Sequence, residues 1–105
     1  MAQFDVYNNP SEVTRQAYPY ILELQNDVIS EIATRIVVPL ADQRYMSGED
    51  FKRLTPKISY EDKELLILIP QITSMNTKSL NNPIGSLAHL RDEIISALDF
   101  AITGI

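Results

Sequence analysis

The 105-residue sequence has no cysteine and no tryptophan, and only three glycines and one histidine. Without cysteine there are no disulfides, no thiolate metal sites and no cysteine nucleophiles. His89 has no second histidine to form a zinc site with, and no nucleophile-elbow sequence accompanies it. The glycines form neither a G-x-G-x-x-G motif nor a P-loop. We therefore expect no metal, no cofactor and no catalytic residues.

Long apolar runs are also missing. No stretch approaches the roughly 18 apolar residues of a membrane span, and the N-terminal M-A-Q-F-D has no signal-peptide features. We therefore expect a cytoplasmic protein without membrane contact. The nine Lys and Arg are scattered and outnumbered by 14 Asp and Glu, which gives a net charge of −5. Because phosphate binding needs a basic patch, the charge disfavours direct nucleic-acid binding and favours a protein partner.

What the sequence does contain is an ordinary globular composition, 45% hydrophobic and 22% charged, which predicts one domain over residues 1–105. Dimerisation would add buried surface to so small a core. The alternation at 3–7 predicts a strand with Phe4 and Val6 on one face and Tyr7 on the other. Further strands are predicted over 18–25 and 32–40, and loops over 8–17 and 41–57.

A hairpin is predicted next, with K-I-S-Y leading through a charged four-residue turn, E-D-K-E, into L-L-I-L-I. The continuous apolar run Leu65–Ile69 indicates a central strand that is covered on both faces. The carboxylates of Glu61, Asp62 and Glu64 fit a solvated turn better than an acid–base pair. Short strands are predicted to follow Pro70.

The last segment has a helical period. From a possible N-cap at Ser86, the apolar stripe comprises Leu87, Leu90, Ile94, Ala97, Leu98, Ala101 and Ile105, and Gly104 is a helix stop. The predicted fold class is mainly β, with antiparallel strands closed by one long C-terminal α-helix. The final D-F-A-I-T-G-I is unusually apolar for the end of a chain. For Ile102 we expect a place in the core or a dimer interface.

Arg35 stands in an apolar strand. A structural or interface ion pair is the favoured interpretation, and an RNase site built from Arg35 and Thr34 without metal is the alternative.

The ordered segments Q-F-D-V-Y, L-Q-N-D-V-I, T-R-I-V-V-P-L and the terminal G-I resemble the CcdB family of bacterial toxins. The resemblance implies an SH3-like small β-barrel of the CcdB/MazF/Kid type with a C-terminal helix. It also implies a homodimeric, non-enzymatic toxin of a type II toxin–antitoxin module, of the kind used in plasmid maintenance. Such a toxin binds the DNA gyrase A subunit, traps the cleaved DNA complex as a double-strand break, and is neutralised by a CcdA-like antitoxin.

The gyrase-binding residues that this resemblance implies lie in two regions. They are Asp92, Ile95, Ser96, Asp99, Ile102, Thr103, Gly104 and Ile105 near the C-terminus, together with Gln3, Phe4, Tyr7, Asn26, Val28 and Ile29. We expect Gln3 and Tyr7 to be partly exposed. Several family members have Trp at the position of Thr103, so Val28, Ile29 and Ile105 are hypothesised to carry more of the contact here.

Two alternatives stay open on the sequence. One is a MazF/Kid-like endoribonuclease toxin on the same fold, since fold does not fix function. The other is a divergent CcdB relative that binds its antitoxin but does not poison gyrase.

Overall fold

The computed structural model describes residues 2–26, 33–46 and 54–104, and within these ranges it contains seven strands and one α-helix. The strands are β1 Asp5–Asn8, β2 Tyr20–Glu23, β3 Thr34–Asp42, β4 Lys57–Tyr60, β5 Lys63–Ile67, β6 Thr73–Asn76 and β7 Gly85–Ser86, and the helix is α1 Arg91–Thr103. Short 3₁₀ turns occupy Gln43–Tyr45, Ile69–Gln71, Thr77–Ser79 and Ala88–Leu90. No helix in the described ranges is long and apolar enough to span a bilayer.

The strands form one antiparallel sheet in the order β4-β5-β3-β2-β1-β7, and β6 also pairs with β3. The long strand β3 pairs with β2 along one edge. Its other edge pairs with β5 through Leu40–Asp42 and with β6 through Thr34–Val37. Strand β3 is therefore the central strand, with one neighbour along one edge and two neighbours that share the other edge.

Curling of the sheet brings its two edges together. The Tyr60 hydroxyl on β4 donates to the carbonyl of Ile84 at 3.4 Å, directly before β7. The tip of the Tyr60 ring fills the space that a Cβ on Gly85 would need, so any other residue there would have to displace the ring. The result is a curled half-barrel with one C-terminal helix, which confirms the predicted fold class.

The β4–β5 hairpin differs from the prediction in its turn. Glu61 and Asp62 alone connect the strands, with φ angles of 51° and 63°, while Lys63 and Glu64 pair with Tyr60 and Ser59 inside the ladder. The predicted four-residue turn is therefore wrong. Two residues with positive φ give the backbone twist that matches the strands, so the turn can be this short.

The concave face of the sheet holds the main core, and the apolar run Leu65–Ile69 is buried as predicted, although β5 ends at Ile67 and Ile69 already belongs to a 3₁₀ turn. Helix α1 covers this face with Ile94 and Ala97. The helix begins at Arg91 rather than Ser86, because Ser86 belongs to β7 and its hydroxyl accepts from the N–H of Ala88 at the start of the preceding 3₁₀ turn.

A second, smaller apolar cluster covers the opposite face of the sheet and comprises Tyr7, Ile21, Val37 and Leu80, with Met75 beside it. Strand β6 pairs with the outer edge of β3 and β7 with the outer edge of β1, so the chain between them must pass over a face of the β3-β2-β1 strands, and this brings Leu80 to that face. The connection over residues 77–84 therefore crosses the sheet. Both faces of β1 are consequently buried.

Candidate functional site

One face of α1 collects most of the helical residues of the predicted binding surface. Asp92, Ser96, Asp99 and Thr103 follow one another at intervals of three and four residues, and all are exposed. Ile95, half-buried, and Ile102 lie beside them. We call these six residues the α1 stripe. The structure thus places them on one continuous surface, away from buried Ile94 and Ala97.

Ile102 is the apolar member of the α1 stripe, and 77% of its surface is exposed. It is therefore not in the core, while a place in a dimer interface, the other part of the expectation, stays a prediction. It follows Ala97 by five residues, which turns its side chain about 140° around the helix axis. A large apolar side chain is thereby presented to solvent beside the C-terminal end of the helix.

The end of α1 is closed locally. Gly104 has a left-handed φ of 75° and donates its N–H to the carbonyl of Phe100 at 2.9 Å, which confirms it as the helix stop. The Thr103 hydroxyl donates to the carbonyl of Asp99 at 2.6 Å. Two of the last carbonyls are therefore satisfied within the chain.

The charge of the α1 stripe is negative. Its carboxylates are Asp92 and Asp99, and the last turn of the helix has no basic residue. Arg91 lies 3.8 Å from Asp92, but both side chains are largely exposed, so this pair neutralises little. Asp99 stands near the helix C-terminus, where the helix dipole disfavours an anion. An apolar side chain among carboxylates suits a partner surface that is partly cationic.

The N-terminal members of the predicted surface divide into accessible and buried residues. Asn26 is exposed, and Gln3 is half-buried with its amide donating to the carbonyl of Leu24 at 3.1 Å. Phe4 is only 2% exposed and belongs to the same core cluster as Ile94. The Phe4 ring therefore offers no surface to a partner in this conformation.

Tyr7 is 1% exposed, so the expectation of partial exposure is wrong. Its hydroxyl donates to Oε1 of Glu23 at 3.0 Å, and Oε2 of the same carboxylate lies 3.2 Å from Nε of Arg35. The three side chains come from neighbouring strands and share the face that residues 77–84 cross. That crossing covers Tyr7, and the sequence carries no local sign of it.

Glu23 is the centre of this buried polar group. Burial raises the pKa of the Glu23 carboxyl, and the Tyr7 hydrogen bond and the Arg35 charge oppose that rise. Burial also raises the pKa of Tyr7, as does its bond to Glu23. Glu23 is absent from the predicted residues, although a carboxylate inside an apolar strand signals a buried partner.

Arg35 is buried with Glu23, and the ion-pair interpretation is confirmed. Its guanidinium is held inside the sheet rather than presented to an RNA substrate, although Thr34 beside it is exposed. His89 is exposed at the surface. Among the residues that the structure describes, no group of three or more His, Asp or Glu side chains is placed to hold a metal ion.

Val28, Ile29 and Ile105 lie outside the described residues. The remaining predicted residues are those of the α1 stripe with Gly104, and Gln3, Phe4, Tyr7 and Asn26 around the end of β2. Comparison with protein-family models gives a match to the model described as CcdB protein, over residues 3–104. The match spans both regions of the predicted surface.

Proposed function

The chain belongs to the CcdB family, and from this membership we propose that the protein binds the DNA gyrase A subunit. Membership of the family also supports a toxin of a toxin–antitoxin module. On this proposal the toxin traps gyrase with its DNA cleaved and so produces double-strand breaks in the cytoplasm. It acts by binding and has no catalytic residues of its own. A CcdA-like antitoxin neutralises it.

The exposed Ile102 is the observation that carries the proposal. Interfaces draw most of their binding energy from a few apolar anchors that become fully buried. Covering a side chain the size of Ile102 contributes about 1.5–3 kcal/mol. The neighbouring Asp92 and Asp99 supply the charge that would orient the α1 stripe on a cationic surface.

The test is a gyrase-dependent DNA cleavage assay with supercoiled plasmid, in which linear DNA is measured after denaturation of the enzyme. Wild-type protein should produce linear DNA only when gyrase is present, and Ile102→Ser should lose most of this activity. Val13→Ser is the matched control, because Val13 is 92% exposed on the loop between β1 and β2. Absence of cleavage with wild-type protein contradicts the proposal, and cleavage of single-stranded RNA without gyrase would favour the ribonuclease alternative.

Thr103 provides a second test of the same surface. Its hydroxyl is bonded to the carbonyl of Asp99, and it has no aromatic ring to stack on a cation of the target. Thr103→Trp should strengthen binding to the gyrase A subunit, because a cation–π contact contributes about 0.5–2 kcal/mol. An unchanged or weaker affinity counts against this use of the position.

We also propose that the toxin is a homodimer. Support comes from β6, which pairs only with β3 among the described strands and has no charged residue. Ile36 and Ile72 are each more than 40% exposed near it. An uncharged edge strand suits self-pairing in a chain of net charge −5. Sedimentation equilibrium should give twice the 11.9 kDa mass of the chain, and a monomer at micromolar concentration would contradict it.

A further inference from the structure

Strand β2 ends at Glu23, but the backbone groups of Ile36 on the neighbouring strand β3 still need hydrogen-bond partners beyond that point. On the β3 side, the N–H of Leu24 still donates to the carbonyl of Ile36 at 2.9 Å. In a regular antiparallel ladder the N–H of Ile36 would then donate to a backbone carbonyl of β2. The main chain is leaving the sheet at this point, so that backbone carbonyl is replaced.

Gln25 supplies the replacement. Its side-chain Oε1 accepts from the N–H of Ile36 at 3.2 Å, and the residue is 6% exposed. The side chain thus takes the role of a strand carbonyl. This satisfies a backbone donor that is costly to leave unpaired, while the main chain bends out of the strand at Gln25 itself.

A second glutamine side chain, that of Gln3, makes a hydrogen bond to the same segment of backbone. Its amide donates at 3.1 Å to the carbonyl of Leu24, the group that would accept from the N–H of Ile36 in a regular ladder. Phe4 adopts a left-handed φ of 70° and donates its own N–H to the carbonyl of Glu23 at 2.7 Å. A left-handed conformation is rare for a bulky residue. It lies directly before the start of β1, and Gln3 in front of it contacts Leu24.

We propose that Gln25 is a positioning residue for gyrase binding, which fixes Asn26, the next residue in the chain, at the point where the chain leaves β2. This inference rests on the proposed function, because Asn26 and Gln3 belong to the predicted gyrase-binding residues. Gln25 is buried and acts through Asn26 rather than by touching the partner. The pair of glutamines holds the end of β2 from both sides.

The first experiment needs no partner. Backbone ¹⁵N relaxation on the free protein compares wild type with Gln25→Met, which removes the acceptor at similar side-chain length. The order parameter of Asn26 should fall from about 0.85 to below about 0.6. Gln71→Met is the matched control, because Gln71 is an exposed glutamine on a 3₁₀ turn. An unchanged order parameter at Asn26 overturns the positioning role.

The second experiment is a double-mutant cycle on the affinity for the gyrase A subunit. Gln25→Met should weaken binding about tenfold, and Asn26→Ala should weaken wild type but cost nothing further in the Gln25→Met background. A merely structural role would lower the melting temperature and leave the Asn26→Ala effect intact in both backgrounds, and that result overturns the proposal. Gln25→Asn, one methylene shorter but still polar, takes the place of Gln25→Met if the latter does not fold, and the same loss of affinity is expected of it.

The two experiments separate two kinds of failure. If wild-type protein does not bind the gyrase A subunit, the proposed function fails, and the relaxation measurement still decides whether Gln25 orders Asn26. If wild type binds and Gln25→Met binds equally well, the positioning role fails while the proposed function stands.

Discussion

Replacing Arg35 by methionine should destabilise the protein strongly. The substitution removes the cation 3.2 Å from the Glu23 carboxylate and leaves that carboxylate buried with the Tyr7 hydroxyl. Removal of one partner from a buried ion pair costs about 3–5 kcal/mol, because the remaining charge is no longer compensated. At about 4 °C per kcal/mol for a chain of this length, the melting temperature should fall by about 12–20 °C.

The cost of Arg35→Met should depend on pH. Burial raises the folded-state pKa of Glu23 above its unfolded value, so its contribution to stability is fully present below about pH 4.3 and is lost as the pH rises through the folded pKa. Arg35 opposes this rise, so its removal raises the pKa of Glu23 further. The difference in unfolding free energy between wild type and Arg35→Met should therefore be largest near pH 7 and shrink toward about pH 4.5.

Urea denaturation followed by circular dichroism, at one protein concentration and several pH values, measures this difference. Arg91→Met is the control and should change the unfolding free energy by less than about 0.5 kcal/mol, because its pair with Asp92 is exposed. Replacing Glu23 and Arg35 together by methionine should recover most of the loss. A cost below about 1 kcal/mol for Arg35→Met at pH 7, or one that grows as the pH falls, refutes the reasoning.

Three further sets of substitutions have effects on stability that follow from the structure and that thermal melts measure. Ile94→Ala should cost about 2–5 kcal/mol because Ile94 is fully buried, whereas Ile102→Ala on the same helix should change stability by less than about 0.5 kcal/mol and weaken gyrase binding; similar losses of stability would contradict this. Glu61→Asn with Asp62→Gly should stabilise the hairpin by about 1 kcal/mol, since both positions have positive φ, and a lower melting temperature would be the opposing result. Gly104→Ala should cost about 1 kcal/mol through its left-handed φ alone, because nothing lies within 4 Å of the added methyl group; no loss would show that the helix end rearranges freely.

Local patterns predicted the parts of the fold that local forces determine. The helical period of the last segment predicted α1, and the apolar run Leu65–Ile69 predicted a buried segment, because burial leaves its pattern in the sequence, although Ala101 is exposed and β5 ends at Ile67. The start of α1 and the length of the β4–β5 turn were wrong. The helix does not begin at Ser86 because Ser86 pairs with Asp5 in the sheet. The turn is shorter than predicted because two residues with positive φ close the hairpin. Pairing and backbone twist decided those boundaries.

The candidate site was harder to predict where distant segments meet. Arg35 in an apolar strand indicated an ion pair, but its partner depends on the register between β2 and β3, which pairs Glu23 with Val37 and so brings it close to Arg35. The burial of Tyr7 depends on residues 77–84 crossing the sheet. The role of Gln25 depends on where β2 stops. None of these relations has a periodic signal in the sequence.

The pairing of the first strand with the last has a consequence for biosynthesis. Strand β1 lies between β2 and β7, and Asp5 pairs with Ser86 although about 80 residues separate them. An emerging chain can form the β1–β2 and β4–β5 hairpins early, but its first strand keeps an open edge until residue 86 has been made. The core cluster is complete only when Ile94 and Ala97 arrive to cover it. The α1 stripe follows the seven described strands in the chain, so it joins the native surface only after they have been made, and a translation product truncated before α1 has no such surface.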